Sequence, residues 1–278
     1  MRIGRIVALV ATASMALTTT AACGGGSSDS IVDKAKNDKK LTIGVKFDQP
    51  GLGQKQPTGK LAGFDIDVAT YIAKKLGVPA GGIDWKETVS GNRETFLQQG
   101  QVDMVIATYS ITPERQKKIL YGGPYYVAHQ DFLVKDGGPI KQPSDLNGHK
   151  LCAVQGSVSA KQAADKFAKK AQLQPEENYS NCAERLLGGQ VDAVSTDDTI
   201  LAGYAAQNPG KLKILGKAFT DERYGVGLRK TDKKGCLAVN KAITAMHTDG
   251  TWEKSLKANF GPAKFKYDDK LPAFVGCG

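Results

Sequence analysis

Short apolar runs alternate with amphipathic helical patterns along most of the chain. Leu41–Val45 is rich in β-branched residues and predicts a strand, and apolar residues recur at helical spacing over 64–76 before Gly77. Similar patterns predict helices at 93–99, 113–119, 160–171, 183–187, 199–206 and 237–249, and strands at 102–107, 131–135, 150–154, 191–195, 212–215 and 225–229. Such alternation is typical of α/β folds with mainly parallel sheets.

A six-residue pattern occurs twice. Residues 100–105 (Gly-Gln-Val-Asp-Met-Val) return as residues 189–194 (Gly-Gln-Val-Asp-Ala-Val), each time between a predicted helix and a predicted strand. Five residues after the aspartate, at the carboxyl end of each strand, are Thr108 and Asp197. Open α/β sheets bind ligands at this end of their strands. The repeat therefore predicts two related lobes with a cleft between them, the alternative being a chance match of aliphatic strands.

The N-terminal residues have the pattern of an export signal. Residues 1–22 contain two arginines, then an apolar run, then small residues, so we assign them to a signal peptide. Cys23 follows Ala21 and Ala22 in a sequence that resembles the lipobox of bacterial lipoproteins, in which the cysteine is acylated and becomes the N-terminus. We assign 23–38 to a lipid-anchored flexible tether. The alternative is a plain secreted protein with an odd cysteine.

The chain carries a formal net charge of +10, with 41% hydrophobic and 24% charged residues, which is typical of a folded globular protein. Its lysines are scattered rather than massed with aromatic residues, and export argues against nucleic acid as a partner. A basic surface suits an anionic cell envelope or an acidic ligand. No segment after the signal has the length and apolarity of a membrane span.

Four cysteines remain after Cys23, an even number in an oxidising compartment. Three pairings are possible, and the order along the chain favours Cys152 with Cys182 and Cys236 with Cys277. With three histidines in the chain and no C-x-x-C pattern, the sequence predicts neither a metal site nor a cofactor.

Residues 110–115 (Ser-Ile-Thr-Pro-Glu-Arg) predict a helix start, with Thr112 as N-cap and Pro113 at the first helical position. The helix dipole disfavours a cation in the first turn, so Arg115 suggests an anion nearby. The alternative is that Arg115 pairs with Glu114 or with another surface acid.

Four motifs carry a resemblance to a known family: 63–68 (Gly-Phe-Asp-Ile-Asp-Val), 112–115 (Thr-Pro-Glu-Arg), 123–126 (Gly-Pro-Tyr-Tyr) and 225–228 (Gly-Val-Gly-Leu). In order and spacing they resemble the family 3 solute-binding proteins of polar amino-acid ABC importers, from about Leu41 to the C-terminus. Residues 46–53 and 107–112 are most similar to the glutamate-binding lipoproteins of actinobacteria.

The resemblance implies an α/β, two-lobed, periplasmic-binding-protein-like (type II) fold with a ligand cleft between the lobes. Residues 39–130 and 222–278 form lobe 1 in this scheme, and residues 131–221 form lobe 2. We expect the chain to cross between the lobes near 127–133 and 218–224.

The resemblance also implies the residues that bind an amino acid. Arg115 holds the α-carboxylate in a bidentate fork. Thr108 and Ser110 contribute a backbone carbonyl and a hydroxyl or amide, and Asp197, rather than its neighbour Asp198, binds the α-ammonium group. The loop that closes on the carboxylate from the other lobe supplies Gln155, Ser157 and Val158.

Two cations are candidates for selecting the ligand side chain. Lys46 stands where glutamine-binding relatives carry an acid, and Arg93 enters the helix before Gly100. Either would favour a distal carboxylate over its amide, so glutamate is preferred over aspartate and glutamine. The alternative for each is a surface position.

The expected function is capture of an amino acid by cleft closure, followed by delivery to the transmembrane subunits of an ABC permease. We expect a monomer, lipid-anchored on the extracytoplasmic face of the cell membrane, that binds no nucleic acid and is not an enzyme. The alternatives are a dehydratase-like enzyme on the same fold and a ligand-sensing lipoprotein.

Overall fold

The computed structural model describes residues 30–263, 265–267 and 270–277. The predicted signal peptide and the predicted lipidation site, Cys23, lie outside the described residues. The helices that position the site are α1 (Ile31–Asp38), α2 (Phe64–Lys75), α3 (Arg93–Gln98), α4 (Pro113–Gln116), α5 (Ser159–Phe167), α6 (Tyr179–Leu187), α7 (Asp198–Gln207), α8 (Lys233–Thr248) and α9 (Thr251–Phe260). No helix in these ranges is both long enough and apolar enough to cross a membrane.

The strands of the described ranges pair in one large and one small sheet. They are β1 (Leu41–Val45), β2 (Asp48–Gln49), β3 (Gly53–Lys55), β4 (Leu61–Ala62), β5 (Ile83–Glu87), β6 (Met104–Val105), β7 (Leu120–Lys135), β8 (Lys150–Val154), β9 (Gln172–Glu176), β10 (Ala193–Asp197), β11 (Leu212–Ile214) and β12 (Asp221–Leu228). The large sheet has the order β5-β1-β6-β12-β7-β10-β8-β9, with β11 also on β7, and the small one has the order β2-β3-β4.

Strand β7 joins two halves of the large sheet. From Leu120 to His129 it pairs with β12, and from Gln130 to Lys135 it pairs with β10 and β11. We call the half with β1, β5, β6 and β12 lobe 1 and include in it the small sheet, which packs on α2. The half with β8, β9, β10 and β11, with α5, α6 and α7 packed on it, is lobe 2. The prediction of a two-lobed α/β fold is confirmed.

The expectation of mainly parallel sheets is wrong. Strand β1 is parallel to β5 and β6, and β8 is parallel to β9 and β10, but every pair that involves β7 or β12 is antiparallel. The reason is that β7 is one long connecting strand, of which the sequence pattern predicted only residues 131–135. Its glycine and tyrosine residues before His129 lack the apolar alternation that marks a strand.

Helix α1 occupies part of the predicted tether. Ser30 caps it by accepting a hydrogen bond from the N–H of Val32, and Ile31 and Ala35 are buried in the core of lobe 1. The assignment of residues 31–38 to a flexible tether is therefore wrong, because two apolar residues at i and i+4 give this helix a face that packs.

Both predicted disulfides are present. Cys152 in β8 is bonded to Cys182 in α6, and Cys236 in α8 is bonded to Cys277 near the C-terminus. The first bond joins a strand and a helix of lobe 2, and the second fastens the C-terminal segment to lobe 1. The even cysteine count and the order along the chain were sufficient to predict both pairs.

Candidate ligand-binding site

A small cavity lies between the lobes at the carboxyl ends of their strands. The space that it encloses, counted together with its opening to solvent, is about 260 Å³. The predicted residues Thr108, Ser110, Arg115, Arg93, Ser157, Val158 and Asp197 all line it. The other lining residues are Ser90, Ser159, Tyr179, Thr196 and Ile200.

Arg115 is fixed at one end of the cavity by the start of α4. The Thr112 hydroxyl accepts from the N–H of Arg115 at 3.3 Å, as the predicted N-cap. The guanidinium donates to the carbonyl oxygens of Ser110, at 2.8 Å, and of Gly156, at 2.9 Å, and its Nε lies 3.4 Å from a carboxylate oxygen of Glu94. The alternative to an anion nearby was a pair with Glu114 or with another surface acid; the acid that Arg115 contacts is Glu94, whose side chain is 20% exposed, and not Glu114.

Arg93 lies beside Arg115 and is 3% exposed, so the surface alternative for this residue is wrong. Its guanidinium donates to carbonyl oxygens of Ser90, Ala107 and Gly156, rather than to a carboxylate. It lies over the Tyr109 ring, 4.2 Å from the centroid. Burial and then the charge of Arg115 lower the pKa of Arg93. Two buried guanidinium groups close together favour an anion between them.

Lys46 lies behind the cavity wall. It is 1% exposed, which excludes the surface alternative, and its Nζ donates to the hydroxyl of the lining residue Ser90 at 2.9 Å. Burial, followed by the charge of Arg93, lowers the pKa of Lys46 to about 7. Its charge therefore acts on the cavity through Ser90, although Lys46 does not itself line the cavity.

The Thr108 backbone has a left-handed φ of 45°, which is uncommon for a β-branched residue. Asp65 stabilises it: one carboxylate oxygen accepts from the Thr108 N–H at 2.8 Å and the other accepts from the Tyr125 hydroxyl at 2.7 Å. Burial raises the pKa of Asp65 to about 6. Asp65 thus supports the site from outside it, a role that we did not predict although the residue lies in the 63–68 motif.

Asp197 ends β10 and precedes α7. One carboxylate oxygen accepts from the Tyr224 hydroxyl at 2.6 Å, and the other is buried without a hydrogen-bond partner among the described residues. Burial, and secondly the charge of Glu222, raises the pKa of Asp197 to about 8. Asp198 instead accepts from the backbone N–H of His129 and of Thr199 and does not line the cavity.

The loop at 155–159 faces lobe 1 across the cavity. Ser157 accepts from the Tyr179 hydroxyl at 2.8 Å. Gly156 has a φ of 76°, and a Cβ there would lie 2.5 Å from the Cα of Gly91 in lobe 1, so the lobes touch at this glycine. Gln155, predicted as a ligand residue, is exposed and lies outside the cavity wall, because the turn directs the following residues inward.

Five lining residues were not among the predicted ligand residues: Ser90, Ser159, Tyr179, Thr196 and Ile200. Thr196 is the residue before Asp197 in β10, and Ser90 follows the end of β5 by three residues, so both lie near the carboxyl ends of strands, where α/β sheets bind ligands. Tyr179 and Ile200 belong to helices, and nothing in their local sequence marks them as cavity residues. The described residues contain no cluster of three or more histidine, cysteine, aspartate or glutamate side chains suited to a metal ion.

The chain is similar to known proteins over most of its length. Residues 41–262 match the family described as bacterial extracellular solute-binding proteins, family 3. The chain is 40% identical to the glutamate-binding protein GluB of Corynebacterium glutamicum, over 98% of this chain and 94% of that protein. It is 35% identical to the ABC transporter glutamine-binding protein GlnH of Bacillus subtilis, over 91% of this chain and 96% of that protein.

A solved structure of an ancestral arginine-binding protein bound to arginine superimposes with a TM-score of 0.74 at 37% identity. The match covers 80% of this chain and 99% of that one. The similarity therefore extends over both lobes.

Proposed function

Because the chain belongs to the bacterial extracellular solute-binding proteins of family 3, we propose that it captures glutamate outside the cytoplasm and delivers it to the permease of an ABC importer. Aspartate and glutamine are the weaker ligands in this proposal. Acylation of Cys23 anchors the protein, as a monomer, to the outer face of the cell membrane.

The observation that carries this proposal is the charge around the cavity. Arg115, Arg93 and Lys46 are three buried cations at or directly behind the wall, whereas Asp197 is the carboxylate among the lining residues. Glutamate has two carboxylates and one ammonium group, so its charges complement such a cavity. A neutral or cationic side chain leaves Arg93 with its carbonyl acceptors and without a carboxylate partner, which is less favourable for a buried cation.

Each charged group of glutamate has a candidate partner. Arg115 holds the α-carboxylate, and the free carboxylate oxygen of Asp197 accepts from the α-ammonium group. Arg93, together with the Ser90 hydroxyl that Lys46 supports, accepts the distal carboxylate. The ligand α-carboxylate competes with the Gly156 carbonyl for the Arg115 guanidinium.

Closure completes the site. Arg115, Arg93 and Ser90 belong to lobe 1, and Asp197 and Ser157 belong to lobe 2, so both halves contact one ligand when the lobes meet. A ligand that contacts both lobes stabilises the closed form over the open form. The permease then distinguishes loaded from empty protein by this difference in shape.

A dehydratase-like activity needs a second acid–base group beside the substrate. The neighbouring carboxylates of Glu222 and Asp198 are not part of the cavity wall: Glu222 accepts from the side chains of Gln130 and Thr220, and Asp198 accepts from backbone N–H groups. One lining carboxylate suits ammonium binding better than paired acid–base catalysis. This observation favours binding over turnover. Transport and ligand sensing differ instead in the protein that receives the loaded form, which is a permease in this proposal.

The experiment is calorimetric titration of the protein begun after Cys23 and stripped of ligand, with glutamate, aspartate, glutamine, asparagine, arginine and cystine. We expect one-to-one binding, tightest for glutamate, and unchanged ligand by mass spectrometry afterwards. Failure to bind any amino acid, or conversion of one, contradicts the proposal.

The side-chain assignment has its own variant. Lys46→Met keeps the length of the side chain and removes its charge, so glutamate affinity falls about tenfold more than glutamine affinity. Lys86→Met, on the neighbouring strand β5, is the control and leaves both affinities unchanged. Equal losses for the two ligands in Lys46→Met exclude a role of Lys46 in binding the distal carboxylate.

A further inference from the structure

Asp48 makes hydrogen bonds across the boundary between the lobes. It begins β2 in lobe 1, and one oxygen of its carboxylate accepts from the N–H of Tyr179 at 3.0 Å and of Ser180 at 3.3 Å. Its backbone carbonyl accepts from the hydroxyl of Tyr204 at 2.5 Å. All three donors belong to helices α6 and α7 of lobe 2.

The contact satisfies groups that α6 cannot satisfy itself. Tyr179 and Ser180 are its first two residues, whose N–H groups have no partner inside the helix. The N-cap Asn178 accepts from the N–H of Asn181, the third residue, so the first two N–H groups are left to Asp48. A carboxylate at a helix N-terminus is favoured by the dipole and by charge-assisted hydrogen bonds.

A second close contact between the lobes lies at Pro50, two residues after Asp48. In α7 the Cβ of any residue replacing Gly203 would lie 2.3 Å from the carbonyl oxygen of Pro50. The backbone of α7 therefore rests directly on the segment that follows Asp48. The Gly203–Pro50 contact and the Asp48 hydrogen bonds together form one contact between the lobes, which we call the inter-lobe contact. Separation of the lobes breaks both parts of it.

The inter-lobe contact adjoins the ligand cavity but is not part of its wall. Tyr179 and Ile200 line the cavity from α6 and α7, whereas Asp48, Pro50 and Gly203 do not. Tyr179 also donates to the Ser157 hydroxyl in the loop that faces the ligand. A change in how α6 and α7 sit on lobe 1 therefore moves residues that contact the ligand.

We propose that Asp48 is a latch between the lobes: by capping α6 from lobe 1, it stabilises the closed form and so sets the affinity and residence time of every ligand without selecting among them. This proposal rests on the proposed function, since it assumes that ligand binding and closure are coupled. Asp48 acts through Tyr179 and Tyr204 and is a positioning residue.

The first test is Asp48→Ala. Loss of hydrogen bonds to a charged acceptor raises the Kd for glutamate and for glutamine by the same factor, about tenfold, mostly through faster dissociation. Because the Asp48 charge also acts on Lys46, the ratio of the two Kd values is compared in the Lys46→Met background, where adding Asp48→Ala leaves it unchanged. Asp67→Ala is the matched control, because Asp67 is a carboxylate that accepts from Ser255 and Asn259 within lobe 1, and both affinities stay native.

Gly203→Ala separates closure from folding. Alanine is a better helix former than glycine, so the unfolding temperature of the unliganded variant is equal to or above that of the native protein. The added Cβ nevertheless meets the Pro50 carbonyl, so affinity for both ligands falls. If Gly203→Ala is as stable as the native protein but binds both ligands less tightly, a general loss of structure does not account for the lower affinity.

Amide exchange measures the latch directly, whatever the ligand. With the native protein in a mixture of the amino acids named above, the N–H groups of Tyr179 and Ser180 exchange more slowly than in Asp48→Ala. Equal exchange in the two proteins overturns the latch. So does an Asp48→Ala protein with native affinity, or a glutamate-to-glutamine ratio that Asp48→Ala alters in the Lys46→Met background. Absence of binding to the native protein contradicts the proposed function instead, and the exchange result still decides the latch.

Discussion

Asp103 and Asp192 occupy equivalent places in the two lobes. The N–H of Asp103 donates to the carbonyl of Thr42 at 2.8 Å, and its carboxylate accepts from the N–H of Thr42 at 2.7 Å. Asp192 makes the same pair of bonds with Lys150, both at 2.8 Å. Each aspartate thus fixes a strand to its neighbour, and the chain that follows it reaches the cavity five residues later.

The two aspartates differ in burial, which predicts different effects of their removal. The Asp103 side chain is 8% exposed and also pairs with Lys34, whereas that of Asp192 is 35% exposed and lies near His149. Asp103→Ala lowers the free energy of unfolding by about 2–3 kcal/mol, and Asp192→Ala by about 1 kcal/mol. Urea unfolding measures both, and an equal or reversed order contradicts this account of the repeat.

Arg115→Ala removes the proposed partner of the ligand α-carboxylate. Truncating one member of a buried charge pair costs about 2–5 kcal/mol, so every amino acid binds at least about thirtyfold less tightly. Titration calorimetry measures the loss. Arg185→Ala is the control, since Arg185 pairs with Glu176 in lobe 2 away from the cavity. Native affinity in Arg115→Ala rules out the carboxylate assignment.

Asp197 predicts how binding depends on pH. With a pKa of about 8 in the unliganded protein, Asp197 is mostly protonated at pH 6, and it faces Glu222, Tyr224, Asp198 and Arg115. The ligand ammonium group favours the carboxylate form, so binding releases a proton and tightens as pH rises to 8, by up to about tenfold per unit.

Glutamine is the ligand for this measurement, because it lacks the distal charge. Its Kd is measured by calorimetry between pH 6 and pH 8 in the native protein and in Asp197→Asn, which has no carboxyl proton to release. We expect a falling Kd in the native protein and a weaker, nearly flat profile in the variant. Parallel profiles assign the pH dependence to another group.

From the lowered pKa of Lys46 we predict that the preference for glutamate over glutamine weakens as pH rises, whereas the binding that depends on Asp197 becomes tighter. The Lys46 pKa of about 7 means that this residue is mostly charged at pH 6 and mostly neutral at pH 8 in the unliganded protein. Binding of a distal carboxylate favours the charged form, so the preference for glutamate over glutamine decreases as pH rises through 7. The effect of Asp197 cancels in this ratio. A ratio that stays constant in the native protein, as we expect for Lys46→Met, contradicts the prediction.

The disulfide of lobe 2 is predicted to contribute to stability. Cys152 and Cys182 are 30 residues apart, and loop-closure entropy for such a loop corresponds to about 3–4 kcal/mol. The double substitution to alanine should lower the free energy of unfolding by up to this amount. Thermal and urea unfolding measure it, with the Cys236/Cys277 double substitution in lobe 1 for comparison. An unchanged unfolding midpoint disproves a stabilising role.

Local sequence determined much of the architecture, because periodicity and spacing are properties of neighbouring residues. The alternation of strands and helices predicted the α/β class, and the repeated Gly-Gln-Val-Asp pattern predicted two lobes and placed Thr108 and Asp197 at strand ends. The even number of cysteines and their order along the chain predicted both disulfides. The family motifs supplied Arg115, Ser110 and the loop at 155–159.

Tertiary structure alone decided which of these side chains share the cavity. Lys46 lies behind the lining residue Ser90, and Gln155 lies outside the cavity wall. Both positions depend on strands and turns that are distant in the sequence. The full length of β7 depends on its pairing with β12, about 100 residues later. Asp48 meets Tyr179 across 131 positions, a distance over which no local pattern operates, so folding and closure together determine this contact.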